Sequence, residues 1–228
     1  MVMSRIILAI DPYKDVEIKE LIARLTRVKS YIVGIKLGLP FIVRYGIMGV
    51  RSIIEEACDL EHIILDFKLA DIAPIMISAI EPFIDVGINE AIAHAFIGLK
   101  GGLQELKEYL NKNNIRLILV ISMSHPGSID VIDHSLNELI RVAERVKPYG
   151  IVVPATRPRI IRMVREKLLS RGIFVKIYSP GIGAQGAEPG SALRAGADYE
   201  IIGRAILFSH KPEEIAMRIA EIHEKLVD

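Results

Sequence analysis

Eight short apolar runs, each followed by a stretch with helical spacing of apolar residues, constrain the fold of this chain more than any other feature. The strand-like runs are Arg5–Ile10, Tyr31–Leu37, His62–Phe67, Glu90–Phe96, Arg116–Ser122, Gly150–Val153, Phe174–Tyr178 and Tyr199–Ile202. Between them, residues such as Ile18, Leu21, Ile22, Leu25 and Val28 recur at the spacing that lines one face of a helix. Leu136, Leu139, Ile140 and Ala143 repeat the pattern, as do Ile215, Ile219, Ile222 and Leu226. Pro212, with Glu213 and Glu214 behind it, suits the start of that last helix. Runs that are apolar on both faces predict parallel strands covered by helices. Right-handed crossovers between eight such units predict an α/β protein, a single-domain (β/α)8 TIM barrel spanning residues 1–228. A doubly wound open sheet uses the same units and is the structural alternative; the count of eight favours closure.

Charge and composition narrow the function classes. Lys plus Arg number 29 against 28 Asp plus Glu, and no charged tail is present, so neither nucleic acid nor a membrane surface is an expected partner. No apolar run approaches the roughly 18–20 residues of a membrane span. Met1–Ile10 leads directly into strand-like residues without the pattern of a secretory signal, so a soluble cytoplasmic protein is expected. The single cysteine, Cys58, excludes an internal disulfide and reads as a small buried residue near a helix end.

Barrels of this kind carry their sites at the C-terminal ends of the strands. There the chain places Asp11, Lys36, then Asp66, Lys68 and Asp71, then Ser122 and Ser124, the run Pro180-Gly181-Ile182-Gly183, and Gly203-Arg204. Lys36 and Asp66 lie within apolar runs, where an unpaired charge is expensive. Asp66 and Lys68 are two apart on an extended strand and so share one face, toward the barrel interior. A salt bridge sealing the barrel end would explain that pair, but not Lys36 or Asp71.

Gly181-Ile182-Gly183-Ala184-Gln185-Gly186 spells G-x-G-x-x-G, yet it opens a Gly/Ala/Pro loop reaching Gly190 rather than a full helix. That is the wrong context for a dinucleotide fingerprint. Free backbone N–H groups, Gln185 and the Gly203-Arg204 turn instead suit a mobile phosphate grip. His94, inside the fourth run, reads as a satisfied core histidine. His125 has no carboxylate placed by sequence to orient it.

Taken in order, Leu8-Ala9-Ile10-Asp11, Gly34-Ile35-Lys36, the D-x-K-x-x-D-I stretch Asp66–Ile72, Met123–Gly127, Ser179–Gly186 and Gly203-Arg204 resemble the orotidine 5'-monophosphate decarboxylase family, particularly its compact archaeal and bacterial branch. The likeness extends over nearly the whole chain. It implies decarboxylation of orotidine 5'-monophosphate to uridine 5'-monophosphate, with no metal and no cofactor. It also implies a role for each matching residue. Lys68 protonates C6 of the pyrimidine, while Asp66 lies against the substrate carboxylate, flanked by Lys36 and Lys68. Asp71, with Ile72, completes the site of a neighbouring subunit, so a homodimer is expected. Asp11 and Lys36 contact ribose hydroxyls, and Ser124 addresses the pyrimidine. Gln185, Gly203 and Arg204 hold the phosphate, with Pro180, Gly181 and Ile182 also binding substrate.

The chain departs from the family after Ile72, where Pro and then Thr two positions further are common. Here those positions are Ala73 and Ile75, and Ile75 has no group to hydrogen-bond a ribose. Two rivals remain. A Mg-dependent sugar-phosphate decarboxylase or hexulose-phosphate synthase would share D-x-K-x-x-D but carry an acidic metal ligand where Lys36 stands. A non-catalytic phosphate-binding barrel would have no use for the Lys36–Asp66–Lys68 array.

Overall fold

Both faces of each apolar run are covered: one by its counterparts across the barrel axis, the other by a helix. The computed structural model describes residues 4–12 and 15–227, so Met1–Met3, which precede the first strand-like run, lie outside the described residues. The strands are β1 (Ile6–Ile10), β2 (Gly34–Gly38), β3 (His62–Leu69), β4 (Glu90–His94), β5 (Arg116–Val120), β6 (Gly150–Val152), β7 (Lys176–Pro180) and β8 (Tyr199–Ile202). They pair parallel in chain order, and β8 closes on β1, giving the closed barrel and not the open sheet.

Ile7, Ala9, Ile64, Ile92, Ile118, Val120, Val152 and Ile201 fill the barrel interior. The opposite strand faces pack under the helices α1 (Ile18–Val28), α2 (Leu39–Glu56), α3 (Ala73–Ile80), α4 (Gln104–Lys112), α5 (Leu136–Val146), α6 (Pro158–Leu169), α7 (Ser191–Arg194), α8 (Arg204–Leu207) and α9 (Pro212–Val227). The predicted stripes are buried in α1 through Leu21, Leu25 and Val28, and in α5 through Leu136, Leu139, Ile140 and Ala143. Among the described residues no helix is long and apolar enough to cross a membrane.

The N-terminal end of the barrel is closed by a buried polar cluster. Glu90 is fully buried, and its carboxylate takes His62 Nδ1 at 2.7 Å, the Tyr178 hydroxyl at 3.1 and 3.2 Å, and Arg116 at 2.7 Å. These partners offset the desolvation of the charge. Burial, and then Glu90, push the Tyr178 hydroxyl far above its ordinary pKa.

Several local expectations are corrected. Tyr31 belongs to the 3-10 turn Lys29–Tyr31, and Phe96 to another, Ala95–Ile97. Phe174 is 82% exposed, because the β7 ladder begins only at Lys176. Cys58 is exposed in the turn after α2, and its neighbour Ala57 takes the buried position. In α9 the buried face is Ala216, Ile219, Ala220 and His223, with Leu226 38% exposed. His223 takes this place because it serves a hydrogen-bond relay. Its Nδ1 accepts from the Arg5 N–H and its Nε2 donates to Glu200 at 2.9 Å. Glu200 in turn accepts from the N–H groups of Gly190 and Ala192, fixing the start of α7.

Candidate active site

At the C-terminal mouth of the barrel, β2 delivers Lys36 and β3 delivers Asp66 to one point. Asp66 is 4% exposed, and its Oδ2 lies 3.0 Å from Lys36 Nζ and 2.7 Å from Lys68 Nζ. Lys68 also donates to Asp66 Oδ1 at 2.9 Å, and Lys36 donates to Asp11 Oδ2 at 2.7 Å. The result is a continuous chain of alternating charge, Asp11–Lys36–Asp66–Lys68.

Burial by itself pushes the Asp66 carboxyl up, but the Lys36 and Lys68 ammoniums together outweigh it and hold the group at about 2. Burial opposes the Lys36 charge in the same way. Asp66 and Asp11 overcome it, leaving that ammonium above its ordinary pKa.

The path of β3 differs from the plain extended strand that the sequence suggests. Against β4 its register shifts between Leu65 and Leu69, and Lys68 sits in the left-handed region at φ 47°. Such a backbone is costly for a residue with a side chain and persists only where the surroundings enforce it. Here the bulge turns the Lys68 amine back onto both Asp66 oxygens while leaving the side chain 40% exposed to the mouth.

A cavity of about 480 Å³ opens above this array, in the size range of small-molecule sites. Asp11, Lys36, Asp66, Lys68, Ser124, Pro180, Gly181, Ile182, Gln185, Gly203 and Arg204 all line it. Its apolar wall comes from Ile92, Val120, Met123, Val152 and Ile201. Asp71 and Ile72 are not part of it. Both are exposed beyond the end of β3, where the Asp71 carboxylate accepts the Ile72 N–H at 2.7 Å.

The Gly-rich loop is more folded than expected. Ile182 and Ala187 form a short bridge, and the N–H groups of Gly183, Gly186 and Ala187 all donate within the loop. These three donors are therefore engaged in the loop's own backbone. Gly181, Gly183 and Gly186 all have positive φ, the conformation that requires glycine there.

Three features escaped sequence reasoning. Gly38 leaves room for Asp11, since a Cβ there would meet Asp11 Oδ1 at 2.0 Å and force that carboxylate to shift. Asp133 braces the segment carrying Ser124. It accepts from Ser122 at 2.7 Å and Ser128 at 2.9 Å, and pairs with Arg157, which also donates to the His125 carbonyl. Ser122, which also lines the cavity, is thus held by Asp133. Nor is His94 satisfied: its Nδ1 is buried without a partner. Burial, then the Lys68 charge, hold its imidazole below the ordinary pKa. Local spacing carries no trace of these contacts, which depend on how separate strands and loops meet at the mouth. Among the described residues, no group of three or more His, Cys, Asp or Glu could hold a metal ion.

A closed (β/α)8 barrel with a charged, half-apolar pocket at the strand C-termini defines a barrel enzyme for a small polar substrate. Residues 4–219 match the family described as Orotidine 5'-phosphate decarboxylase / HUMPS family, and the chain belongs to it. The orotidine 5'-phosphate decarboxylase of Aeropyrum pernix is 43% identical over 224 residues, covering 96% of this chain and 88% of that one. The Saccharolobus solfataricus enzyme of the same name is 39% identical over 227 residues, covering 100% of this chain and 95% of its own. Among solved structures, orotidine 5'-monophosphate decarboxylase from Sulfolobus solfataricus superimposes with a TM-score of 0.85 at 39% identity, covering 99% of this chain and 100% of that one. The Methanocaldococcus jannaschii enzyme, complexed with inhibitor BMP, gives 0.85 at 27% identity, with 96% and 98% covered.

Proposed function

We propose that this chain is a cytoplasmic enzyme that decarboxylates orotidine 5'-monophosphate to uridine 5'-monophosphate, a step of pyrimidine biosynthesis, with Lys68 as proton donor. The observation that carries the reading is the Lys36–Asp66–Lys68 array at the pocket floor, with both Asp66 oxygens held by Lys68. Loss of carbon dioxide leaves an electron pair at C6 of the pyrimidine. A cation beside C6 stabilises that charge as it develops, and the same group can deliver the proton. Lys68 has the exposure to reach substrate and a carboxylate to hold it in place. Asp66, kept ionised, also stands where the departing carboxylate would lie, and their repulsion is relieved as that carboxylate is lost.

The remaining lining residues divide the substrate between them. Asp11 Oδ1 is buried without a donor and would accept a hydrogen bond from a ribose hydroxyl. Lys36 assists there, Ser124 faces the pyrimidine, and Gln185 with the Gly203-Arg204 turn takes the phosphate beside Pro180, Gly181 and Ile182. Phosphate binding far from C6 supplies energy for closing the loop over a crowded charged site. The sugar-phosphate alternative is disfavoured, because the Lys36 ammonium, 3.0 Å from Asp66, would repel a divalent cation there.

The functional unit in this reading is a homodimer in which Asp71 and Ile72 enter the neighbouring site. Support comes from their exposure and from exposed apolar side chains on the consecutive helices α2 and α3 and between them: Val43 is 77% exposed, Met48 68%, Ile72 59% and Ile75 53%. Large apolar side chains left in water are suited to burial in an interface.

The test is the loss of orotidine-monophosphate absorbance with two single variants. Lys68→Ala and Asp71→Ala homodimers should each be nearly inactive. Co-expressed, they should regain about a quarter of normal activity, since about half of the dimers then carry one intact site. Absence of turnover by the unmodified protein would overturn the decarboxylase reading. An inactive pool with mixed dimers confirmed by mass would overturn only the shared site.

A further inference from the structure

A second cavity, of about 630 Å³, lies at the opposite, N-terminal end of the barrel, among the starts of β5, β6 and β7 and the helices α4 and α5. Five of its lining residues are cationic and one, Asp198, is acidic. Three of the cations are already matched. Arg116 pairs with Glu90, and Arg165 and Lys176 share Asp198.

Lys107 and Lys147 are different. The Lys107 ammonium donates to the Val146 and Lys147 carbonyls, at 2.6 and 2.9 Å, and so meets no carboxylate. Lys147 pairs with no acidic side chain among the described residues, and its charge bears on Lys107. Burial, then that charge, hold the Lys107 ammonium below its ordinary pKa. Two like charges are thus held together by the end of α5, where Lys147 adopts φ 51°.

The lining as a whole carries five cations against one carboxylate, in a protein of net charge +1, and such an excess of one sign concentrates anions. The cavity also has flat apolar surfaces. Phe174 is 82% exposed at its edge, and the Tyr149 ring is stacked under the Arg116 guanidinium at 4.4 Å. An exposed phenyl ring has no packing role here, whereas it suits stacking against a planar base.

We propose that this cavity binds a nucleoside di- or triphosphate, its phosphates on Lys107 and Lys147 and its base on Phe174. The site is remote from the charged array; only its test rests on the proposed function, through uridine monophosphate as the ligand that fills the catalytic mouth and decarboxylation as the control activity.

The test is calorimetric titration of the full-length protein with ATP in the presence of saturating uridine monophosphate, which occupies the catalytic mouth. One ATP per chain should bind. Lys147→Asn, which tolerates positive φ while removing the charge, should weaken it about tenfold, the range expected for one charge-assisted contact. Phe174→Ala should weaken it severalfold, and inorganic triphosphate should bind at least tenfold more weakly than ATP. Both variants should retain the basal decarboxylation rate. Absence of ATP binding under saturating uridine monophosphate would overturn the proposal, as would binding indifferent to either substitution. Triphosphate binding as tight as ATP would remove the base from the site. Much tighter, Lys147-dependent binding of an RNA oligonucleotide would replace the small ligand with a nucleic-acid surface.

Discussion

Gly38→Ala is a one-carbon change that should disable the pocket without unfolding the barrel. Gly38 has φ −91° and ψ 171°, values open to any residue, so alanine meets no backbone penalty. The obstacle is contact. A Cβ at this position stands 2.0 Å from Asp11 Oδ1, 2.9 Å from Asp11 Cγ and 3.0 Å from Lys36 Nζ. Ordinary contact begins near 3.4 Å, so the Asp11 carboxylate must withdraw by about 1.4 Å. Its 2.7 Å bond to Lys36 would then open beyond hydrogen-bonding range. Lys36 keeps Asp66, so its charge is not orphaned. A hydrogen bond to a charged group contributes about 1.5–3 kcal/mol, and loss of that much transition-state stabilisation lowers kcat/KM roughly ten- to a hundredfold. The absorbance assay measures this directly, with thermal unfolding as the control for folding. Asp11→Ala supplies the decisive comparison. It removes both the clash and the contact, so the double variant Gly38→Ala/Asp11→Ala should be no worse than Asp11→Ala alone. Gly38→Ala activity within twofold of the unmodified protein would refute the argument, as would additive losses in the double variant.

Arg204→Ala, removing a planar set of donors from the pocket rim, should weaken uridine-monophosphate binding by tenfold or more while leaving turnover of orotidine, which lacks the phosphate, nearly unchanged; equal damage to both would make Arg204 structural. The Asp66 carboxyl is depressed to about 2, so its ion pairs stabilise the fold fully above the ordinary carboxylate pKa and fade as pH falls through about 2. The depression corresponds to about 2 kcal/mol, so the stability lost between pH 5 and pH 2 in urea unfolding should be smaller by that amount in Asp66→Asn; an unchanged loss would place the acid sensitivity elsewhere. Exhaustive EDTA treatment should leave turnover unaltered, whereas loss restored by Mg2+ would favour the sugar-phosphate chemistry.

The sequence by itself determined the architecture and much of the pocket lining. Burial on two faces dictates β-branched runs, and helices packed on them dictate the stripes, so eight units and their order were legible without a single known contact. The mouth residues were legible for a related reason. Charges such as Lys36 and Asp66 inside apolar runs are tolerated only when something distant pairs with them, and their presence announced a partner. The identity of that partner was not local. That Asp11 reaches Lys36, that Gly38 leaves room for it, and that a bulge with Lys68 at positive φ folds the amine back onto Asp66 depend on strand register and stagger. Apolarity was equally silent on what lies opposite. Phe174 reads as strand but stays 82% exposed, while His223 reads as polar yet is buried because Glu200 awaits it across the fold. A residue's periodicity follows from whether it meets water, which the chain encodes locally. Its partners depend on which segments the closed barrel brings together, and that was decided only in three dimensions.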